Sequence, residues 1–216
     1  MTVVELSDAP LPIDHYEHAL RGRPVRVQLE DGTCLALATG LWSRPRPGDD
    51  SVIRRCLGPT LDVGCGSGRI TEALGDAGVR ALGIDISPHA IQLTRERGSH
   101  GQVRDVFDRT PALGQWRHVL LLDGNIGIGG DAIALLGRCG ELLATRGTVI
   151  VEAEAPGTGI QRLLVRLVHA DRSSRPFRWM TSDAHGIKAA ATAVGLSVVD
   201  EWADRGRWFV ELGKGR

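Results

Sequence analysis

From residue 60 onward, short apolar runs alternate with stretches whose apolar residues recur at helical spacing. Residues 60–63 form a short apolar strand, followed by a glycine turn and a helix over about 69–76. A second strand covers 80–84. Ser87 then caps a helix with Pro88 at its first position, running to about 97. Residues 102–106 make a third strand, and 116–122 a fourth, apolar enough to be buried on both faces. A helix over about 131–143, a strand over 148–152 and a helix over 184–194 follow. The last two strands, 196–202 and 207–212, meet in a tight turn near 204–206. This order predicts a doubly wound, Rossmann-like α/β fold: a mostly parallel seven-stranded sheet with an antiparallel edge hairpin.

The first 57 residues differ in texture, so the chain divides into an N-terminal extension, 1–57, and a main domain, 58–216. The extension carries a short helix over 13–20 and two alternating segments, 25–30 and 34–38, around the hairpin signal Asp31-Gly32. Residues 44–50 read as a linker. The whole segment is a candidate lid.

Composition narrows the function classes. Among 216 residues, 42% are hydrophobic and 24% charged, which excludes wholesale disorder. Twenty-six basic and 26 acidic residues cancel, which speaks against coating a phosphate backbone. The apolar run 119–122, like every other in the chain, falls far short of the roughly 20 residues of a membrane helix. The N-terminus has acids and prolines where an export signal would have a basic start and an apolar block, so a cytoplasmic location is expected. Cys34, Cys56, Cys65 and Cys139 include no Cys-x-x-Cys pair and read as reduced thiols.

The most informative stretch is Asp62-Val63-Gly64-Cys65-Gly66-Ser67-Gly68-Arg69, where a strand runs through a glycine turn into a helix. Glycine there permits positive φ, or lets a ligand approach with no Cβ in the way. The dinucleotide pattern G-x-G-x-x-G fails, because Arg69 stands where its third glycine belongs. Asp62 would repel a pyrophosphate but suits a ligand bearing an ammonium and a sulfonium.

On these residues the chain resembles the class I S-adenosylmethionine (SAM)-dependent methyltransferases, whose first motif is an acid, a spacer and G-x-G-x-G. The resemblance covers roughly 58–212 and implies SAM as cofactor, with S-adenosylhomocysteine (SAH) as product. It implies that Asp62, Gly64, Cys65 (through its backbone), Gly66 and Gly68 form the cofactor turn. Asp85, ending the second strand, would hold the ribose hydroxyls, and Ile86 would pack on the adenine. Asp105 would accept from the adenine amino group, with the Val106 backbone at the ring edge. Asp123 and Gly124 would lie near the methionine end. The segment from Asp123 to Asp131 and the closing Gly206-Arg207-Trp208-Phe209 are similar to a group of uncharacterised actinobacterial members.

Methyl transfer asks the protein to position a nucleophile and exclude water. His15 and Tyr16 are the candidates for a general base or a substrate contact. Asn125, Arg175 and Trp179 are the candidate substrate-binding residues. In the insert 152–180, Arg162 and Arg166 stand four apart on one face of an expected helix, able to hold an anionic acceptor, to bind RNA or merely to face solvent. Asp123, Glu152 and Glu154 are the only fit to a divalent-cation site, and the Asp-Asn pair that metal-binding members show after the fifth strand is missing, so no metal is expected. His118, inside the fourth strand, reads as a satisfied core residue. The expected activity is SAM-dependent methyl transfer to oxygen or nitrogen, with carbon a further option, on a small molecule, by a monomer or homodimer. The rivals are an RNA methyltransferase and a non-catalytic SAM-binding protein. Nucleic-acid and membrane partners are not expected.

Overall fold

A computed structural model describes residues 9–214. The N-terminal segment gives α1 (Pro12–Leu20), the strands β1 (Arg26–Gln28) and β2 (Cys34–Ala36), and two short helices, α2 (Thr39–Trp42) and α3 (Asp49–Ile53). The alternating region gives β3 (Thr60–Val63), α4 (Arg69–Asp76), β4 (Ala81–Asp85), α5 (Pro88–Glu96), β5 (Gly101–Val103) and β6 (Trp116–Leu121). A 3-10 segment, Asn125–Gly130, leads into α6 (Ala132–Leu142) and the long β7 (Leu143–Ala153). Then come β8 (Ile160–His169), β9 (Arg172–Ser173), β10 (Phe177–Ser182), α7 (Ala184–Ala193), β11 (Leu196–Asp204) and β12 (Arg207–Lys214).

Seven strands form the main sheet in the order β11-β12-β7-β6-β3-β4-β5. The five strands from β7 to β5 are parallel, and the β11–β12 hairpin joins antiparallel at the β7 edge. This is the doubly wound sheet with an antiparallel edge that the pattern predicts. Local chemistry starts its helices: the Ser87 hydroxyl accepts from the Ala90 N–H at 3.1 Å, and Asp131 and Asp183 cap α6 and α7.

β6 explains why the sheet needs cover on both sides. Val119 and Leu121 enter one core with Leu135, Leu136 and Ile187 of α6 and α7. Leu120 and Leu122 enter the other, with Ile70, Leu74 and Val52 of α4 and α3. Burying apolar surface at about 25 cal/mol per Å² makes these two layers the main favourable contribution to folding.

A second, antiparallel sheet runs β10-β8-β1-β2, with β9 also on β8. The hairpin near the N-terminus therefore pairs with the insert between β7 and α7, Val27 opposite Leu167. The helix expected around Arg162 and Arg166 is a strand. In Leu163-Leu164-Val165-Arg166-Leu167 the buried positions, Val165 and Leu167, are two apart, and period two wins over period 3.6. Residues four apart share a face in either element, so the two arginines still lie on one side. The expected linker 44–50 contains the start of α3, and the third strand stops at Val103, leaving Asp105 in the loop beyond it.

His118 is a satisfied core residue. Its Nε2 accepts from the Leu57 N–H at 3.2 Å, so Nδ1 carries the proton and donates to Thr148 Oγ1 at 2.9 Å; Thr148 in turn donates to Glu211 at 2.7 Å. Burial pulls its pKa down to about 4. The unfolded imidazole titrates at about 6.5, so on acidification the unfolded state takes the proton first and stability falls between those two values. The total loss is on the order of 3 kcal/mol. His118→Asn should flatten that acid limb, read as the urea midpoint measured across the same pH window; an unchanged limb would assign the acid sensitivity elsewhere.

Candidate functional site

The carboxyl ends of β3, β4 and β6 converge on the glycine turn. Gly64 and Cys65 donate their N–H groups to the Ile84 carbonyl at 2.8 and 3.0 Å, which pins the turn to β4. The three glycines answer to different constraints. A Cβ at Gly64 would lie 2.7 Å from the Asn125 side chain, and one at Gly68 would lie 2.8 Å from Thr94. At Gly66, with φ +54°, a Cβ would meet only the Tyr16 hydroxyl at 3.5 Å. Gly64 and Gly68 are thus required by packing, whereas Gly66 has room for a Cβ and lies buried beneath the Tyr16 hydroxyl. The Cys65 side chain points inward against Gly83 and Thr94, and burial pushes its thiol well above the usual range.

Asp85 is the hub of this corner. Its Oδ1 accepts from the Ser87 N–H at 2.8 Å; its Oδ2 accepts from the Gly66 N–H at 3.1 Å and the Tyr16 hydroxyl at 3.4 Å. Burial raises its pKa against the pull of these bonds. Asp62 lies behind the turn, 3% exposed, and accepts from Thr71 at 2.8 Å; burial lifts its pKa to about 6. Beyond β4, Ile86 and Phe107 are 52% and 43% exposed. Asp105 is exposed and accepts from the Phe107 N–H at 2.9 Å, while Val106 is buried with its carbonyl held by Arg138.

The N-terminal segment covers this corner. Glu17 accepts from Ser87 at 2.9 Å and from the His89 N–H at 3.2 Å, so α1 docks on the start of α5. Burial raises the Tyr16 phenol well above its ordinary value, which suits a donor to Asp85 and not a base. His15 is buried against the rings of His18 and His169, at 6.0 and 6.1 Å, and neither ring nitrogen has a hydrogen-bond partner. Neither residue lines the pocket beyond the turn.

That pocket, about 290 Å³, opens beside the ends of β6 and β7. Its lining includes Trp42, Arg46, Asp123, Glu152, Glu154 and Trp208. Behind it, three arginines and three acids interlock. Arg69, 4% exposed, pairs with Asp49 and Asp123 and donates Nε to the Trp42 carbonyl at 3.2 Å. Arg46 also pairs with Asp123. Arg207 pairs with Asp49 at 2.8 Å and, through two bonds of 2.8 Å, with Glu152. Glu152 also accepts from the Asp123 N–H at 2.8 Å, steadying a residue held at φ +52°. The arginines hold Asp49 and Glu152 below the usual carboxylate range despite burial.

The structure thus brings Asp85, Gly66, Ile86 and Tyr16 together, and sets Asp123 and Gly124 on the adjoining pocket. Asn125 clips the loop after β6 to the turn, donating Nδ2 to the Val63 and Gly64 carbonyls at 2.8 and 3.0 Å; it is spent on backbone rather than aimed at a substrate. Trp179 lies on the backbone of Gly127, and Arg175 donates to the Ala9 carbonyl at 3.3 Å; neither lines the pocket. The reading of the sequence missed Arg46, Asp49, Arg69 and Arg207. Arg69 carried a usable signal, since an arginine opening the helix after a buried turn must find acids, but their positions come from distant segments.

Residues 60–120, which span the turn, Asp85 and Asp105, match a family model described as a methyltransferase domain. Solved structures extend the likeness. A SAM-dependent methyltransferase from Bacteroides fragilis in complex with SAH superposes with a TM-score of 0.77 at 19% identity, covering 100% of this chain and 98% of that one. CalS10, a SAM-bound amino pentose methyltransferase from Micromonospora echinaspora involved in calicheamicin biosynthesis, gives 0.58 at 19%, covering 93% and 96%. The 1,6-didemethyltoxoflavin-N1-methyltransferase of Burkholderia thailandensis, with its substrate and SAH bound, gives 0.56 at 16%, covering 95% and 77%. The fold is that of the class I SAM-dependent methyltransferases.

The interlocked charges yield a prediction. Arg69→Ala leaves Asp49 and Asp123 short of a buried counter-charge and should cost about 3–5 kcal/mol of unfolding free energy. Urea denaturation checks it; a loss near that of a surface ion pair, under ~1 kcal/mol, would show that the network carries little.

Proposed function

We propose that the chain binds SAM over the Gly66 turn and transfers its methyl group to a nitrogen or oxygen of a small molecule. The observation that carries this reading is Gly66 itself: left-handed backbone with room for a Cβ, bonded to the Asp85 carboxylate, in a turn clipped by Asn125 to the loop after β6 that walls the pocket. The residues fit the cofactor. Asp85 would take the vicinal ribose hydroxyls, one of them replacing the Tyr16 hydroxyl, since a carboxylate offers about four lone-pair directions and three are in use. The exposed Ile86 would cover a purine face, and Asp105 would accept its amino group. The family match and the ligands of the B. fragilis and M. echinaspora proteins support the same cofactor.

When bound, SAM supplies a methyl group already activated on a positively charged sulfur. What remains for this chain is positional. α1 covers the turn through Tyr16. Asn125 fixes the loop after β6 against β3, and the arginine–acid lattice fixes Asp123 and Glu152 at the pocket wall. The acceptor is received in that pocket, so Tyr16 acts as a cover over Asp85 rather than as a base.

SAH should raise the melting temperature and NAD should not; a ligand at 100 times its Kd adds about 2.7 kcal/mol. Asp85→Ala should weaken SAH binding by about 1–3 kcal/mol in calorimetry, the scale of a lost charged hydrogen bond. Stabilisation by NAD in place of SAH, or full affinity in Asp85→Ala, would overturn the assignment.

A further inference from the structure

The pocket beside the turn holds a charge pattern that methyl transfer alone does not require. Five ionisable side chains line it: Arg46, Arg207, Asp123, Glu152 and Glu154. Four of them pair off, Arg46 with Asp123 and Arg207 with Glu152. Glu154 follows the last residue of β7, and only its backbone is engaged: its N–H donates to the Ser182 carbonyl at 2.9 Å. Among the described residues its carboxylate has no partner. The pocket therefore presents one uncompensated negative charge. Trp42 and Trp208 wall the same space, and an indole face is the strongest aromatic attractor of a cation.

We propose that this pocket selects an acceptor carrying an amino group, held as its ammonium by Glu154 against the tryptophans. A neutral hydroxyl compound would leave Glu154 without a counter-charge. An anionic acceptor would face Glu154 while both arginines are already committed. At about 290 Å³ the space lies at the small end of ligand pockets and suits a molecule of monosaccharide or aromatic-amine size. Resting on the methyl-transfer reading, the inference makes the methylated atom that nitrogen. The ammonium first loses one proton to solvent at the open side of the pocket. The freed lone pair then forms the N–CH₃ bond as the S–CH₃ bond of SAM breaks. Sulfur keeps the bonding pair, and the products are a methylammonium and the thioether SAH.

The test uses three probes of one shape and three charges: benzylamine, benzyl alcohol and benzoate, titrated into the full chain with and without SAH and followed by ligand-observed NMR. Benzylamine should bind at least about tenfold more tightly than benzyl alcohol, and benzoate most weakly, as an unpaired carboxylate dictates. Glu154→Gln, at an exposed position, should fold as the wild type and reduce the amine to the affinity of the alcohol. Equal binding of the three, tighter binding of benzoate, no binding of benzylamine, or an unaltered preference in Glu154→Gln would overturn the proposal. The SAH melting shift, run alongside, judges the other reading separately. A shift without amine preference defeats this inference alone, and amine preference without a shift defeats the methyl-transfer reading alone.

Discussion

The fold closes around a set of charges that could not be buried singly. Moving a carboxylate or a guanidinium out of water costs several kcal/mol, and only close, hydrogen-bonded partners offset it. Arg69 and Arg207, 4% and 7% exposed, each hold Asp49, and they reach outward to Asp123 and Glu152. Those five residues come from α3, α4, the end of β6, β7 and β12. The lattice thus ties the N-terminal segment to the carboxyl edge of the main sheet, where ligands of doubly wound folds sit. Once it forms, α2 and α3 cannot swing away from the site without stranding an arginine.

Two consequences for the site follow. The acids that look catalytic from their place at strand ends, Asp123 and Glu152, are engaged by arginines and serve as wall. Glu154, one step beyond β7, stays outside the lattice and is left as the pocket's unpaired charge. At the other corner Tyr16 lies on Asp85 and Glu17 on the start of α5, so the same segment covers the nucleoside side. Covering and charge pairing are done by one stretch of chain with little regular structure of its own.

The second sheet has a similar logic. β8 has Val165 and Leu167 buried on one face and could not stand alone; pairing with β1 and β10 satisfies its backbone and gives that face a neighbour in α1. A two-stranded ribbon is marginal in water, and joining strands far apart in the chain solves that for the hairpin and the insert together.

The amino-acid sequence by itself determined the main sheet and its glycine turn. Those features are written in contiguous residues: apolar runs flanked by helix caps, positive-φ glycines, and Asp85 at a fixed distance from Asp62. It also marked His118 as a core residue, because a lone histidine inside an apolar run must be neutral and bonded. Tertiary structure alone decided the rest. Whether Arg162 and Arg166 lie on a helix or a strand depended on β1 being there to pair with. Whether Asp123 faces a ligand or an arginine depended on Arg46 and Arg69 arriving from other elements, and Asn125 turned from a substrate candidate into a clip because the Gly64 carbonyl lies beside it. Local pattern fixes backbone preference over a few residues, but the partner of a buried charge is chosen only when distant segments meet in space.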